Sequence, residues 1–178
     1  MMKNSMTFGG IGPKLACICM PYIVLSLVVM NRFPEFLNLG YLDNSFLKIT
    51  GLIWLATGTA FWIASVIVFL TDFKKGKLIT RGPFGLCRNP IYASMIIFVV
   101  PSLAVIFHSG LIFSVAFVLY IGFKISIHGE TILLRRTFGN EYVKYEESVN
   151  DIFPFPRFLF HKNRNSKKPL TPKFNDWN

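Results

Sequence analysis

Charge is scarce in this chain of 178 residues, of which only 16% are Asp, Glu, Lys or Arg, against about a quarter in ordinary soluble domains. A soluble fold must keep its surface polar, so the shortage argues against one. Acids are scarcer still, 9 against 19 Lys and Arg, for a formal net charge of +10. Cysteine is nearly missing. Cys17 and Cys19 sit inside an apolar run and Cys87 in a polar stretch, with neither metal-site spacing nor a disulfide framework, and they read as small apolar residues. No small-x-small cleavage site follows the first apolar run, where the chain reads NRFPE at residues 31–35. That run is therefore expected to be a retained helix and not a signal peptide. No repeat of useful period occurs. The basic segments carry no recognised nucleic-acid motif, so no nucleic-acid partner is expected and the excess charge reads as a topology and lipid-surface signal.

What the chain does have is apolar residues, 52% of the total, gathered in long blocks. Four blocks predict membrane spans at about 13–30, 49–71, 91–107 and 110–127, each near the roughly 17–25 residues that cross a bilayer as a helix. The second contains no charge. Only His108 and Ser109 separate the third from the fourth, so these two must form an antiparallel hairpin. The predicted fold class is all-α: a polytopic membrane protein of about four transmembrane helices followed by a cytoplasmic amphipathic helical region. Two short amphipathic helices are expected over 128–150, interrupted at Gly139. Residues 1–160 are read as one integral membrane domain and 161–178 as a basic, disordered tail. Lys75, Lys77, Arg81 and Arg88, with the basic stretch after Ile127, place both termini in the cytoplasm by the positive-inside rule. A composition rich in Lys, Asn, Ile and Phe suggests a bacterial inner membrane. Ala56, Ala60 and Ala64 predict a ridge for close helix packing. Pro21 and Pro101 predict kinks whose freed backbone groups need other partners.

Between the second and third blocks lies KLITRGPFGLCRNPIYAS, residues 77–94. GPFG at 82–85 is turn chemistry. Pro90 suits a first helical turn, with Asn89 as the expected N-cap, and free N–H groups there would favour an anionic ligand group. The hairpin brings Glu130 back to this corner. Two readings stand side by side. In one the corner is a capped return into the membrane and Glu130 a boundary acid paired with Arg88. In the other, Glu130 faces a pocket and binds a cationic ligand group.

LITRGPFGLCRNPIY, then a helical hairpin, then GETILLRRTFGNEYVKYEESVNDIFP, resembles the membrane methyltransferases of the isoprenylcysteine carboxyl methyltransferase and phospholipid methyltransferase superfamily. The likeness covers roughly 77–156. It implies S-adenosylmethionine as cofactor and a lipophilic substrate reached from the bilayer, with membrane lipids as partners. By position it implies cofactor binding by Gly76, Lys77, Leu78, Ile79, Phe84, Asn89, Pro90, Ile91, Tyr92 and Glu130, with Glu130 and Arg88 as the catalytic pair. Asn89 stands where many members have His, Thr131 replaces the second acid of a pair, and Ser126 occupies the place of a substrate-site Arg of the prenylcysteine enzymes. Two rivals share the architecture. One is an NADPH-dependent sterol-reductase-like enzyme, whose box is not matched at Ile91, Ala93 and Ser94. The other is a non-catalytic membrane scaffold.

Overall fold

In lipid every backbone polar group must be satisfied within the protein, and a helix does this by itself. The computed structural model describes residues 12–40, 44–73 and 75–155. Its elements are α1 (Gly12–Arg32), α2 (Ser45–Phe73), α3 (Pro83–Leu86), α4 (Pro90–Ala93), a π-helical stretch (Ser94–Val99), α5 (Val100–Ile106), α6 (Gly110–Phe138) and α7 (Asn140–Ser148). Helices α1, α2 and α6 are long and apolar enough to cross a membrane, and α4, the π stretch and α5 run on as one shorter apolar helix, Pro90–Ile106. The protein is an all-α polytopic membrane protein, as the sequence predicts. Large apolar side chains such as Leu25, Ile53, Phe117 and Ile125 face outward along these helices, where lipid is their natural solvent. The tail expected at 161–178 lies outside the described residues.

Close packing of α2 uses a different stripe from the one predicted. Ala56, Ala60 and Ala64 are exposed, whereas the buried residues of α2 are Gly51, Gly58, Ser65 and Asp72. These recur every seventh position, so they share one face. A Cβ added at Gly58 would lie 2.3 Å from that of Phe98, and one at Gly51 would lie 3.2 Å from Ile106 Cγ1. Only glycine admits the Pro90–Ile106 helix this closely, while alanine serves equally well against lipid. On the other flank Gly122 of α6 receives α1, since a Cβ there would stand 2.8 Å from Cys19 Sγ. The core behind this contact is Leu15, Cys19, Phe123, Ala93, Cys87 and Ile152.

Pro101 has the effect expected of it. It offers no N–H to the Ile97 carbonyl four residues back, and the indole N–H of Trp54 on α2 donates to that carbonyl at 3.1 Å. Just before it the ladder widens, so that the Val100 N–H reaches Met95 O. At the membrane face away from the polar corner, Leu39 N–H donates to His108 O at 2.7 Å and Gly110 N–H to Leu37 O at 2.9 Å. These bonds tie the α1–α2 connection to the hairpin turn.

The region after Ile127 departs from expectation. No new helix starts there; α6 continues unbroken for 29 residues, about 43 Å at 1.5 Å per residue, and so outruns a hydrocarbon core of about 30 Å. The break falls at Gly139 (φ 53°), where the chain turns into α7. A long continuous helix wins because residues 128–138 contain neither Gly–Pro punctuation nor a capping residue strong enough to stop it.

Candidate functional site

The polar corner is assembled from three parts of the chain. Gly76 and Gly82 take positive φ (63° and 59°) and fold the loop after α2 back toward the membrane. Asp72 at the foot of α2 anchors this loop through ion pairs to Lys75 at 2.5 Å and to Arg81. Pro83 and Pro90 stand at the first turns of α3 and α4. Residues 150–151, just past α7, then lie along the corner as a strap. Arg88 N–H donates to Asn150 O at 2.9 Å and Asn89 N–H to Asp151 O at 3.0 Å. Asn89 occupies the N-cap position, but its side chain makes no cap bond; its Nδ2 donates to Asp151 O at 3.2 Å instead. The strap offers a carbonyl within reach, and the amide takes it.

Arg88 also differs from the simplest expectation, because its charge is not spent on Glu130. Its guanidinium donates to Glu146 Oε1 at 2.6 Å, to Tyr142 Oη at 3.2 Å and to Asp151. Lys124 holds the other oxygen of Asp151 at 2.7 Å and Arg135 the other oxygen of Glu146 at 2.8 Å. Burial alone would raise the Glu146 carboxyl, but hydrogen bonds from Arg135 and Arg88 reverse this and hold it below its ordinary value. Tyr145 of α7 closes the assembly by donating to Phe84 O at 2.6 Å. Cys87, fully buried beneath the strap, has its thiol pushed up to about 12 by desolvation.

Inside this frame is a cavity of about 530 Å³, a size typical of small-molecule sites. Gly76, Lys77, Leu78, Ile79, Phe84, Arg88, Asn89, Pro90, Ile91, Tyr92 and Glu130 all line it. So do residues the sequence reading passed over: Lys14 from α1, Phe69 and Phe73 from α2, Ser126, Leu133, Leu134 and Phe138 from α6, and Tyr142 and Tyr145 from α7. Those on α6 fall on the helical face that already carries Glu130, a signal available from spacing alone. Glu130 is the single carboxylate in the lining, against the cations Lys14, Lys77 and Arg88. Arg88 Nε is buried without a hydrogen-bond partner among the described residues. The enclosure thus offers one anionic point, cationic and N–H donors at the α3–α4 corner, and aromatic faces between them. It suits a ligand that carries charges of both signs and an aromatic group.

A family model for phospholipid methyltransferase matches residues 45–141, more than half of the chain, from the start of α2 to the start of α7. No curated protein and no solved structure matches the chain.

Proposed function

This chain belongs to the phospholipid methyltransferase family, and we propose that it transfers the methyl group of S-adenosylmethionine to a lipophilic acceptor in the bilayer. The observation that carries this reading is the lone Glu130 carboxylate facing the α3–α4 corner across a cavity of about 530 Å³ at the foot of the membrane helices. Bound there, the cofactor supplies a methyl carbon made electrophilic by a sulfonium. Glu130 balances its ammonium. Lys77 and the unpartnered Nε of Arg88 suit its carboxylate, and Phe84 and Tyr92 offer apolar faces for its base. Arg88 is in this view chiefly a positioning residue, with most of its charge committed to Glu146 and Asp151.

Displacement at a methyl carbon asks for alignment and for the exclusion of water. Phe69, Phe73, Leu133 and Leu134 give the cavity an apolar wall next to the spans, which suits an acceptor arriving from lipid. A carboxylate or thiolate acceptor attacks as it stands, whereas an amine must first lose a proton. We place the cavity on the cytoplasmic side, where the positive-inside rule puts the loop bearing Lys75, Lys77, Arg81 and Arg88. Detergent-purified protein titrated with S-adenosylmethionine and, separately, with NADPH tests the reading. Saturable binding of the former is expected. Saturable binding of NADPH alone would overturn it in favour of a reductase.

A further inference from the structure

One buried hydroxyl in this protein has nothing to bond. The other buried serines all have partners among the described residues: Ser26 donates to Tyr22 O at 2.8 Å, Ser65 to Phe61 O at 2.6 Å, Ser94 to Ile91 O at 2.6 Å and Ser102 to Phe98 O at 2.6 Å. Ser109 accepts from Ile112 N–H at 3.4 Å. Ser126 is as buried as these, 3% exposed, yet its Oγ has no partner. A hydroxyl enclosed in this way is unfavourable, and native structures rarely leave one without a reason.

Its position supplies the reason. Ser126, Gly129, Glu130 and Leu133 follow the i, i+3, i+4, i+7 spacing of one helical face, and all four line the cavity. Helix α6 runs from the far side of the membrane toward the polar corner, so Ser126 lies one turn, about 5.4 Å, nearer the bilayer centre than Glu130. Its neighbourhood is apolar: Ile127 follows it in the lining, and Phe123, one turn back, is fully buried against the Tyr92 ring at 5.6 Å between centroids. The groups that match the charges of the cofactor stand on the other side, at Glu130 and at the α3–α4 corner.

We propose that Ser126 Oγ hydrogen-bonds the polar head of the methyl acceptor and orients its attacking atom. This rests on the methyl-transfer reading above. The acceptor heteroatom forms its bond to the methyl carbon as the sulfur–carbon bond breaks, and Ser126 keeps its own proton throughout. A hydroxyl both donates and accepts. It therefore suits an amphiphile whose reacting group is an amine, hydroxyl, thiol or carboxyl, set on an apolar body that lies along the phenylalanine wall.

The test uses full-length protein reconstituted into vesicles made from the total lipid extract of the expression host, with methyl-labelled S-adenosylmethionine. Initial rates are read against the mole fraction of host lipid in a phosphatidylglycerol background, and cofactor affinity is measured separately by equilibrium binding. Ser126→Ala is expected to raise the apparent acceptor KM roughly fivefold to tenfold and to leave cofactor affinity within about twofold. Ser126→Thr, which keeps the hydroxyl, is expected to recover most of the loss. An unchanged acceptor KM in Ser126→Ala overturns the proposal, as does a fall in cofactor affinity alone, which would assign Ser126 to the cofactor. Wild-type protein that binds no cofactor overturns the methyl-transfer reading itself, and this proposal with it.

Discussion

Replacing Arg88 by Met should loosen the corner without emptying the core. The guanidinium is 9% exposed and faces the carboxylates of Glu146 and Asp151, themselves 15% and 25% exposed. Removing one partner of a buried ion pair costs about 3–5 kcal/mol, because the remaining charge is left uncompensated. Here the loss is tempered, since each acid keeps a second, more exposed cation: Arg135 for Glu146 and Lys124 for Asp151. Exposed pairs contribute only about 0–1 kcal/mol, so a net loss of roughly 2–4 kcal/mol is expected. Two assays read it: the unfolding midpoint in detergent, and the rate at which a protease cuts near residues 149–155. Acidification gives an independent check. The Glu146 carboxyl is held below its ordinary value, so its stabilisation is present above the unfolded carboxylate range and is lost as pH falls through the folded one. Arg88→Met should therefore flatten the acid limb of the stability profile. Wild-type stability, cleavage rate and acid limb in this variant would refute the reasoning.

Glu130→Gln, which keeps the shape and removes the charge, should weaken S-adenosylmethionine binding at least tenfold, about 1.4 kcal/mol; equal affinity in an equilibrium titration would make Glu130 a boundary acid only. Trp54→Phe should destabilise the protein by about 0.5–1.5 kcal/mol by stranding the Ile97 carbonyl. Adding Pro101→Ala to it should restore much of that loss by returning a backbone donor, and additive losses in denaturant titrations would rule the account out. Cys87 is fully buried, with its thiol raised to about 12. Maleimide at pH 8 should leave it unmodified in native protein and label it after denaturation, a difference that mass spectrometry reads directly.

The long apolar blocks were legible because a bilayer needs charge-free length and little else. So was the meeting of Glu130 with the segment at 89–92: a two-residue turn leaves an antiparallel hairpin no other choice. The choice between the two small-residue stripes of α2 was not legible. Alanine at every fourth position and glycine or serine at every seventh are both plausible contact faces, and only the bulk of Phe98 on the partner decides between them. Arg88 was misjudged for a different reason. Its carboxylate partners lie 58 and 63 residues away along the chain, on a helix and a strap whose docking no local pattern encodes. Ser126 carried a usable sign, its four-residue distance from Glu130, but its missing hydrogen bond exists only once the neighbours are in place.

The strap also sets an order of events during synthesis. Every membrane helix precedes Glu146 and Asp151 in the chain, so insertion can be complete while the corner still lacks both acids that neutralise Arg88. A nascent protein stalled after α6 would sit in the membrane with Arg88 uncompensated, the Asn89 N–H unbonded and the cavity missing its α7 wall. The same holds for a product cut short at that point. Insertion and competence to bind ligand are thus separate milestones for this chain, and the residues that follow the last membrane helix mark the second.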